Sequence, residues 1–451
     1  MTETTEGNLL WEPSESLKEN AGLSRYIEWL REEKGLSFAG YEELWEWSVT
    51  DLEGFWASVW EFCGVRASKP YERVLGSRRM PGAEWFPGAE LNYAEHVLGA
   101  IEPGRLDEPA LIHASELRQT GEVSWWELRE RVAAFAAGLK SLGVGRGDRV
   151  VAYVPNVPEA IAAFLACASI GAVWSSCSPD FGAPSVIDRF RQIEPKILLA
   201  VDGYRYGGKD FDRTETLAEL QREIPSLEET VVVPYLEEEP DVSGLDNVVF
   251  WDDLLSENEG AELRFEQVPF DHPLWVVYSS GTTGLPKAIV QGQGGIVVEH
   301  LKKLGLHMDI REGDRFFWFT TTGWMMWNVV AGSLLSGATA LLYDGNPGYP
   351  DMNAVWEFAS ETGMTHFGTS AGYLTSCMKA GVEPGRDFDL SALRAIGSTG
   401  SPLPPEGFEW VYGSVKEDLW LFSTSGGTDL CTAFVGGNPL LPVRAGEIQC
   451  R

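Results

Sequence analysis

The sequence predicts an α/β protein in which two doubly wound, mostly parallel sheets follow a helical N-terminal extension. The first observation is an alternation of short apolar runs and helical segments between Val150 and Val201. The second is a similar alternation between Leu274 and Phe422. The third is a Trp- and Glu-rich stretch before residue 92 that has a helical period and no alternation. Strands separated by helices pair in parallel through right-handed crossovers, so each series predicts one sheet covered on both faces.

The elements of these series have local signals. Ser124 and Glu127 form a capping-box pattern ahead of apolar residues at helical spacing, and Gly143 ends that helix. Further helices are expected near residues 156 and 185. The apolar run 160–174 is too short to span a bilayer and reads as a buried helix that enters a strand. Strands are predicted at 150–154, 172–174, 197–201, 275–278, 316–319, 338–343, 394–396 and 419–422.

The charge balance narrows the class of partner. Lys and Arg number 35 and Asp and Glu number 67, so the formal net charge is −32. A field of this sign repels nucleic acid and anionic membrane surfaces, and we expect neither as a partner. The six cysteines form no CxxC or Cys/His cluster, which argues against a zinc site. The N-terminus lacks the basic-then-apolar order of a signal peptide, so a cytoplasmic location is expected.

The segment from Val276 to Lys287 carries the strongest chemical signal. A buried strand runs into an unbroken series of Ser, Gly and Thr residues that ends in Leu-Pro-Lys. Glycines let the backbone turn its N–H groups toward an anion, hydroxyls add donors, and one lysine places a charge on terminal phosphates. The spacing does not fit the GxxxxGK[ST] loop. The segment therefore predicts a phosphate site built locally inside an acidic protein.

This segment resembles the phosphate motif of the adenylate-forming acyl-CoA synthetases, [YF]-[TS]-S-G-[TS]-T-G-x-P-K, at every position of Tyr278–Lys287. Gly323 and Trp324 resemble the acyl-pocket segment of that family. The segment 400–402 resembles its adenine loop, with Ser in place of the Glu found in acetyl-CoA synthetase. The resemblance runs from about residue 10 to the end and implies the large N-terminal domain of that family, with two α/β subdomains and a β-rich subdomain.

The resemblance implies a two-step reaction. A carboxylate attacks the α-phosphorus of ATP to give an acyl-adenylate and pyrophosphate, and the thiol of CoA then displaces AMP. Thr428 is expected to bond the α-phosphate, Asp429 and Thr283 to hold Mg²⁺, and Lys287 to act with Thr428 and Asp429 in catalysis. The other expected nucleotide contacts are Ser279, Ser280, Gly281, Thr282, Thr283, Gly284, Lys287, Gly400, Ser401, Pro402, Ser423, Thr424, Ser425, Gly426 and Gly427.

The acid is expected to be acetoacetate. The segments 41–56, 83–98 and 397–412 resemble the branch of the family that activates this acid. Gly426 falls where acetyl-CoA synthetase carries the tryptophan that closes its pocket, so a longer acid is expected to fit. The facing wall is expected to be Trp324, Met325, Met326, Trp327 and Asn328, with the Asn328 amide donating to the β-keto oxygen of acetoacetate.

A site for CoA is expected on the glycine-rich segment 203–209, which follows the predicted strand 197–201. It resembles the loop that binds the nucleotide phosphate of CoA in acetyl-CoA synthetase. Arg205 and Lys209 are the cations of this segment. In a protein of net charge −32, two cations beside glycines favour an anion site.

The expected division is 1–95 for the helical extension, 96–270 and 271–428 for the two α/β subdomains, and 429–451 for the start of the β-rich subdomain. The family's later C-terminal cap domain, with its adenylating lysine, has no counterpart in these 451 residues. We therefore expect a longer native chain that supplies the cap in cis, and weak activity of these residues alone. Two alternatives stay open: a synthetase for acetate, propionate or a branched acid, and a non-catalytic nucleotide-binding relative.

Overall fold

The structure is a computed structural model that describes residues 5–99, 101–279 and 284–451. Its helices alternate with strands over most of the chain. Short 3-10 or π-helical turns add to them at Pro103–Arg105, Arg191–Ile193, Lys303–His307, Leu334–Ser336 and Val411–Val415. The helices are α1 Glu15–Asn20, α2 Gly22–Lys34, α3 Tyr41–Thr50, α4 Leu52–Phe62, α5 Tyr93–Leu98, α6 Trp125–Ser141, α7 Pro158–Ser169, α8 Ala183–Phe190, α9 Thr214–Glu223, α10 Trp251–Glu257, α11 Gln293–Lys302, α12 Met326–Ser333, α13 Ala354–Thr362, α14 Ala371–Ala380, α15 Pro384–Asp387 and α16 Pro405–Trp410.

The strands form two large sheets and several two-stranded pairs. They are β1 Leu9–Trp11, β2 Leu75–Ser77, β3 Glu84–Trp85, β4 Glu90–Leu91, β5 Pro109–Ser115, β6 Gly121–Ser124, β7 Arg149–Tyr153, β8 Val173–Cys177, β9 Ile197–Val201, β10 Gly203–Tyr206, β11 Lys209–Asp212, β12 Glu229–Val233, β13 Val248–Phe250, β14 Val268–Pro269, β15 Pro273–Ser279, β16 Lys287–Gly292, β17 Arg315–Trp318, β18 Thr339–Asp344, β19 His366–Ser370, β20 Ala395–Thr399, β21 Trp420–Ser423, β22 Ser425–Gly427, β23 Thr432–Val435 and β24 Val443–Arg444.

The first large sheet has the order β13-β12-β9-β7-β8-β15-β16. Its strands run in parallel from β13 through β15, and β16 closes the edge as an antiparallel hairpin with β15. The apolar run noted at 160–174 becomes the fully buried helix α7 and the start of β8. The hairpin β15–β16 carries the segment predicted to bind phosphate, so this segment lies at the edge of the first sheet.

The second large sheet has the order β21-β20-β19-β17-β18-β5-β6 and repeats the same plan. The strands from β21 to β5 are parallel, and β6 forms an antiparallel hairpin with β5. The predicted capping box at Ser124 is present at the start of α6, with both of its reciprocal hydrogen bonds. The α/β class and the two parallel-rich sheets predicted from the sequence are confirmed.

The predicted subdomain boundary between residues 270 and 271 does not separate the strands of the two sheets. The first sheet takes β15 and β16 from beyond that point, whereas the second sheet takes β5 and β6 from before it. Each sheet therefore completes its edge with a hairpin from the other part of the sequence. Local periodicity identifies strands but not their partners, and strand order depends on tertiary packing that no single segment contains.

The N-terminal region is mainly helical but also contains strands that the helical period did not predict. β1 pairs antiparallel with β24, and β4 pairs with β14. The tryptophans of this region serve as packing residues: Trp60 lies 4.7 Å from the ring of Phe86 and is 8% exposed. The short strands at both ends of the chain fix the helical extension to the body.

An aromatic cluster packs under the position where the two sheets meet. Trp327 of α12 stacks on Trp174 of β8 at 6.1 Å and meets Phe164 of α7 edge-on at 5.9 Å. Trp275 of β15 lies 5.4 Å from Phe164. This cluster fixes the start of α12, and with it the preceding acyl-pocket segment, against the first sheet. In the described ranges, the helices are too short or too polar to cross a membrane.

Candidate active site

Three of the segments predicted to bind substrate meet around one cavity of about 580 Å³, here called the site cavity. Its walls include residues 324–326, 399–403 and 423–428. These segments follow the strands β17, β20 and β21, and their carboxyl ends lie at one edge of the second sheet. Open α/β sheets bind ligands at this edge, because the loops that follow parallel strands converge there.

The two loops after β20 and β21 are joined by hydrogen bonds. The backbone N–H of Thr424 donates to the carbonyl of Ser398 at 2.9 Å. The Thr399 hydroxyl donates to the Thr424 carbonyl at 2.7 Å. Gly400 follows with a φ of +87°, a conformation that glycine adopts without steric cost. The segments expected to hold adenine and the α-phosphate are therefore held side by side.

The predicted acyl-pocket segment lies only partly on the cavity. Trp324, Met325 and Met326 line it. Trp327 is fully buried in the aromatic cluster, and Asn328 of α12 is 4% exposed. Neither residue lines the cavity. Successive residues of a helix point about 100° apart. The first turn of α12 therefore cannot direct Met326, Trp327 and Asn328 to the same cavity. The structure thus assigns the two methionines to the site and Trp327 to the core.

Gly426 lines the cavity, but it does so for a reason different from the expected one. A Cβ built there would lie 2.0 Å from the carbonyl oxygen of Thr432 and 2.7 Å from Cα of Ala433. The hairpin β22–β23 occupies that position with its own backbone. Glycine is therefore required by the close approach of two strands, and the space for an acid comes from the position of the whole hairpin.

The predicted phosphate loop connects β15 to β16. Ser279 and Lys287 lie opposite each other at the end of that hairpin, and Lys287 is exposed. Gly284 is also exposed. The predicted contacts Ser280, Gly281, Thr282 and Thr283 lie outside the described residues.

Gln291 of β16 links the phosphate-loop hairpin to the site cavity. Its side-chain amide donates to the carbonyls of Thr428 and Asp429 at 2.9 and 3.1 Å. Its side-chain oxygen accepts from the indole of Trp275 at 2.5 Å. A lone glutamine in a strand gives no signal in sequence, and only the structure reveals this contact. Gln291 fixes the predicted α-phosphate and metal residues relative to the first sheet.

Asp429 lies in the turn between β22 and β23 with its side chain exposed. Its carboxylate accepts no hydrogen bond from any described residue, although its backbone carbonyl is bound by Gln291. A Mg²⁺ ion prefers oxygen ligands and retains water and phosphate oxygens, so one exposed carboxylate fits its needs. In the described ranges, His, Cys, Asp and Glu form no cluster of three or more that holds a metal through protein ligands alone.

The glycine-rich segment predicted for CoA forms the hairpin β10–β11, here called the CoA hairpin (203–212). The Arg205 guanidinium donates two hydrogen bonds to the Asp210 carboxylate, at 2.5 and 3.1 Å. The N–H groups of Gly207 and Gly208 donate to the Glu116 carboxylate at 2.8 and 2.7 Å. Arg205 and the two glycine N–H groups therefore already have internal partners, whereas Lys209 is exposed.

Glu116, directly after β5, and Asp344, the last residue of β18, form an acidic pair at the base of this hairpin. Glu116 also accepts from the N–H of Asn346 at 2.8 Å. Burial raises the pKa of the Asp344 carboxyl to about 7, although the Tyr235 hydroxyl, donating at 2.8 Å, opposes that rise. No sequence pattern predicts this pair, because the partners of both residues come from distant parts of the chain.

The histidines have structural surroundings. Burial lowers the pKa of His300 and of His307 to about 4, and that of His366 to about 3. His300 contacts the Cys431 carbonyl at 3.1 Å, and His307 contacts the Gly437 carbonyl at 3.3 Å. Neutral, buried imidazoles with backbone partners agree with a site whose chemistry needs no histidine base.

Lys303 is a charged residue at the cavity that sequence reasoning missed. It begins the π-helical turn after α11, lines the site cavity and is 7% exposed. Burial lowers the pKa of its ammonium group to about 8, although Glu299 raises it. Two adjacent lysines, at positions 302 and 303, are typical of a solvent-exposed surface. The sequence pattern therefore did not predict that Lys303 is buried.

The chain matches the AMP-binding enzyme family over residues 103–443 and the acetyl-coenzyme A synthetase N-terminus over residues 41–97. An acetoacetyl-coenzyme A synthetase of Rhizobium meliloti is 44% identical over 98% of this chain and 67% of the relative. The acetoacetyl-CoA synthetase of Danio rerio is 43% identical over 100% of this chain and 67% of the relative. The chain thus spans about two thirds of the length of these relatives.

A solved structure gives the same result for the fold. The acetoacetyl-CoA synthetase from Streptomyces lividans superposes with a TM-score of 0.93 at 54% identity, over 98% of this chain and 68% of that chain. The matched regions include both large sheets and the loops that surround the site cavity. Because the family match covers residues 103–443 and these relatives are more than 40% identical over nearly the whole chain, the chain belongs to the AMP-binding enzyme family.

Proposed function

We propose that the protein is an ATP-dependent acid–thiol ligase that converts acetoacetate and CoA to acetoacetyl-CoA, with release of AMP and pyrophosphate. The observation that carries this function is the site cavity, where the acyl segment 324–326, the adenine loop 400–402 and the segment 423–428 meet. A cavity of about 580 Å³ at the edge of a parallel sheet accommodates an acid beside a nucleotide.

Adenylation requires positioning more than a protein nucleophile. The acid carboxylate attacks the α-phosphorus, the bond from that phosphorus to the pyrophosphate oxygen breaks, and pyrophosphate leaves with the electron pair. Residues 400–402 hold the adenine, and the Thr428 hydroxyl donates to the α-phosphate. Lys287, with the loop 279–284, stabilises the negative charge on the leaving pyrophosphate. Gln291 keeps Thr428 aligned with the loop, because it binds the Thr428 carbonyl from β16.

Mg²⁺ is assigned to Asp429, with Thr283 as a second protein oxygen. When bound, the ion supplies charge neutralisation at the phosphates. The aspartate side chain is one methylene shorter than the glutamate typical of the family, so Asp429 would hold the ion through a bridging water if it did not reach it directly. The exposure of Asp429 and its lack of a described hydrogen-bond donor leave its carboxylate available for this role.

For CoA, we keep the assignment of Arg205 and Lys209 on the CoA hairpin. CoA must compete with Asp210 for the Arg205 guanidinium, since the two already form a two-bond ion pair. Both side chains of that pair are more than one third exposed, so the pair contributes little and exchanges readily. The phosphate of CoA carries more charge than a carboxylate and is therefore the stronger partner for Arg205.

The function is tested by acid-dependent ATP–pyrophosphate exchange with the native protein. Acetoacetate, acetate, propionate, butyrate and isobutyrate are compared at equal concentration. Acetoacetate is expected to give the largest kcat/KM. A larger value for acetate or a branched acid would replace the substrate, and no exchange with any acid would favour a non-catalytic nucleotide-binding role. Formation of the thioester after addition of CoA, followed by absorbance, checks the second step.

A further inference from the structure

Lys303 differs from the other lysines near the site because it is buried beside a cavity without an ion pair. It is 7% exposed, and in the described ranges no carboxylate oxygen lies within 4.0 Å of its ammonium nitrogen. Its neighbour Lys302, by contrast, binds Glu299 at 2.9 Å. Burial of an ammonium group is costly unless a partner compensates it. A partner for Lys303 is therefore expected from outside the protein.

The position of Lys303 indicates which part of a ligand it meets. Lys303 lines the site cavity together with Met325 and Gly426. It also lines a second cavity, of about 320 Å³, between the N-terminal helices and α11. Lys303 thus stands in the wall that separates the two cavities. The adenine loop 400–402 lines only the site cavity, so the nucleotide side of that cavity is a different wall from the one that contains Lys303.

The acidic group nearest to Lys303 in sequence already has other partners. The Glu299 carboxylate, the acid residue nearest in sequence, is taken up by Lys302 and by the Thr432 hydroxyl at 2.7 Å. Thr424 and Thr432 also line both cavities, and both hydroxyls donate to other groups, Val435 and Glu299 respectively. Lys303 is therefore the strongest available donor on this wall.

We infer that the Lys303 ammonium group donates a hydrogen bond to the 3-oxo oxygen of the acid substrate and so selects 3-oxo acids over simple fatty acids. This inference rests on the proposed function. The acid carboxylate must point at the α-phosphorus on the nucleotide side, so the far end of a four-carbon acid reaches the wall with Lys303. Acetoacetate offers a carbonyl oxygen there, whereas butyrate offers only a methylene and leaves the ammonium group without a partner. A site that loses a charged hydrogen bond rejects the analogue strongly.

The first test replaces Lys303 by Met, which keeps the length and removes the charge. Acid-dependent ATP–pyrophosphate exchange is measured with acetoacetate and butyrate. The variant is expected to raise KM for acetoacetate by about 10- to 100-fold and to change KM for butyrate by less than about threefold. Lys303→Gln, which keeps a neutral donor, is expected to fall between the two. Lys379→Met on the exposed surface of α14 removes the same charge and should change neither value.

Stability provides a readout independent of activity. Because Lys303 is buried without an ion pair, Lys303→Met is expected to raise Tm while it lowers the preference for acetoacetate. Binding of acetoacetate to the nucleotide-loaded protein, followed by calorimetry, should weaken by the same factor as KM rises.

Several outcomes would overturn the inference. An equal rise in KM for acetoacetate and butyrate would assign Lys303 to the carboxylate. Unchanged KM values for both acids in both variants would remove Lys303 from substrate recognition. If the wild-type protein activates another acid better than acetoacetate, the proposed substrate is wrong. That result is distinct from one in which acetoacetate is preferred but Lys303 does not contribute to the preference.

Discussion

The site cavity and the CoA hairpin were both expected to bind anions through glycines and cations, yet they distribute their charges in opposite ways. In the hairpin, Arg205 is bound by Asp210, and the N–H groups of Gly207 and Gly208 are bound by Glu116. In the cavity, Lys303 is buried without a carboxylate within 4.0 Å among the described residues. The cation that the sequence predicted for a ligand, Arg205, is therefore paired internally, whereas Lys303, which the sequence did not predict, has no carboxylate partner among the described residues.

The difference follows from where the partners originate. The carboxylate that accepts from the glycine N–H groups of the CoA hairpin belongs to Glu116, about 90 residues earlier. Glu116 directly follows β5 of the second large sheet. The carboxylate nearest to Lys303 in sequence, Glu299, is diverted to Lys302. Competition among internal partners thus decides which cation is left for substrate. The following predictions test this contrast, beginning with the largest effect.

Lys287→Ala is expected to reduce acid-dependent ATP–pyrophosphate exchange by about 100-fold or more, because the loss of a preorganised cation at a developing phosphate charge costs that much. The free energy of unfolding should change by less than about 0.5 kcal/mol, since Lys287 is exposed at the end of its hairpin. Exchange kinetics and urea unfolding of the same preparation check both parts. Retained exchange would show that the phosphate loop acts without its lysine.

Asp344→Asn is expected to stabilise the protein progressively as the pH rises. The folded-state pKa of about 7 is higher than the ordinary 3.8, so the stability that Asp344 contributes is complete below pH 3.8 and is lost as the pH rises to about 7. The variant has no carboxyl group to ionise at this position. Its free energy of unfolding should therefore increase relative to that of the wild type by about 2 kcal/mol from pH 5 to pH 8. Urea unfolding at both pH values measures it. The exposed Asp107→Asn is the control and should show no such trend.

Gly426→Ala is expected to cost about 1 to 3 kcal/mol of stability, because the added Cβ would lie 2.0 Å from the Thr432 carbonyl oxygen and must displace the hairpin β22–β23. Exchange with acetoacetate should fall about tenfold, as this hairpin forms a wall of the cavity. Gly295→Ala in helix α11, where nothing lies within 4 Å of a Cβ, should instead be neutral or slightly stabilising. Equal behaviour of the two variants would contradict the close-approach argument.

Arg205→Ala has the smallest expected effect, a rise of about fivefold in KM for CoA with KM for ATP unchanged, which corresponds to about 1 kcal/mol for an exposed charge contact. Asp210→Asn removes the internal competitor and should lower KM for CoA by about twofold. Thioester formation at varied CoA concentration measures both. If neither variant changes KM for CoA, the hairpin is a structural element and the CoA site lies elsewhere.

The prediction of secondary structure worked where the signal is local. The capping box at Ser124, the buried helix α7 and strand β9 (Ile197–Val201) formed as expected, because each depends on a few neighbouring residues. The short strands β1 and β4 were not predicted, since each has only two or three residues and exists through its partner, β24 or β14. Their stability comes from pairing, which a periodicity test does not detect.

By itself, the sequence determined the fold class and the segments that reach the cavity, because those properties reside in contiguous motifs. Only the tertiary structure decided which side chains of a segment face the site. In the structure, Trp327 lies in the core, Met325 and Met326 line the cavity, and Lys303 is buried beside it. It also gave Arg205 an internal partner. The physical reason is that burial and charge pairing depend on residues far apart in sequence, which folding brings to within a few ångströms of one another.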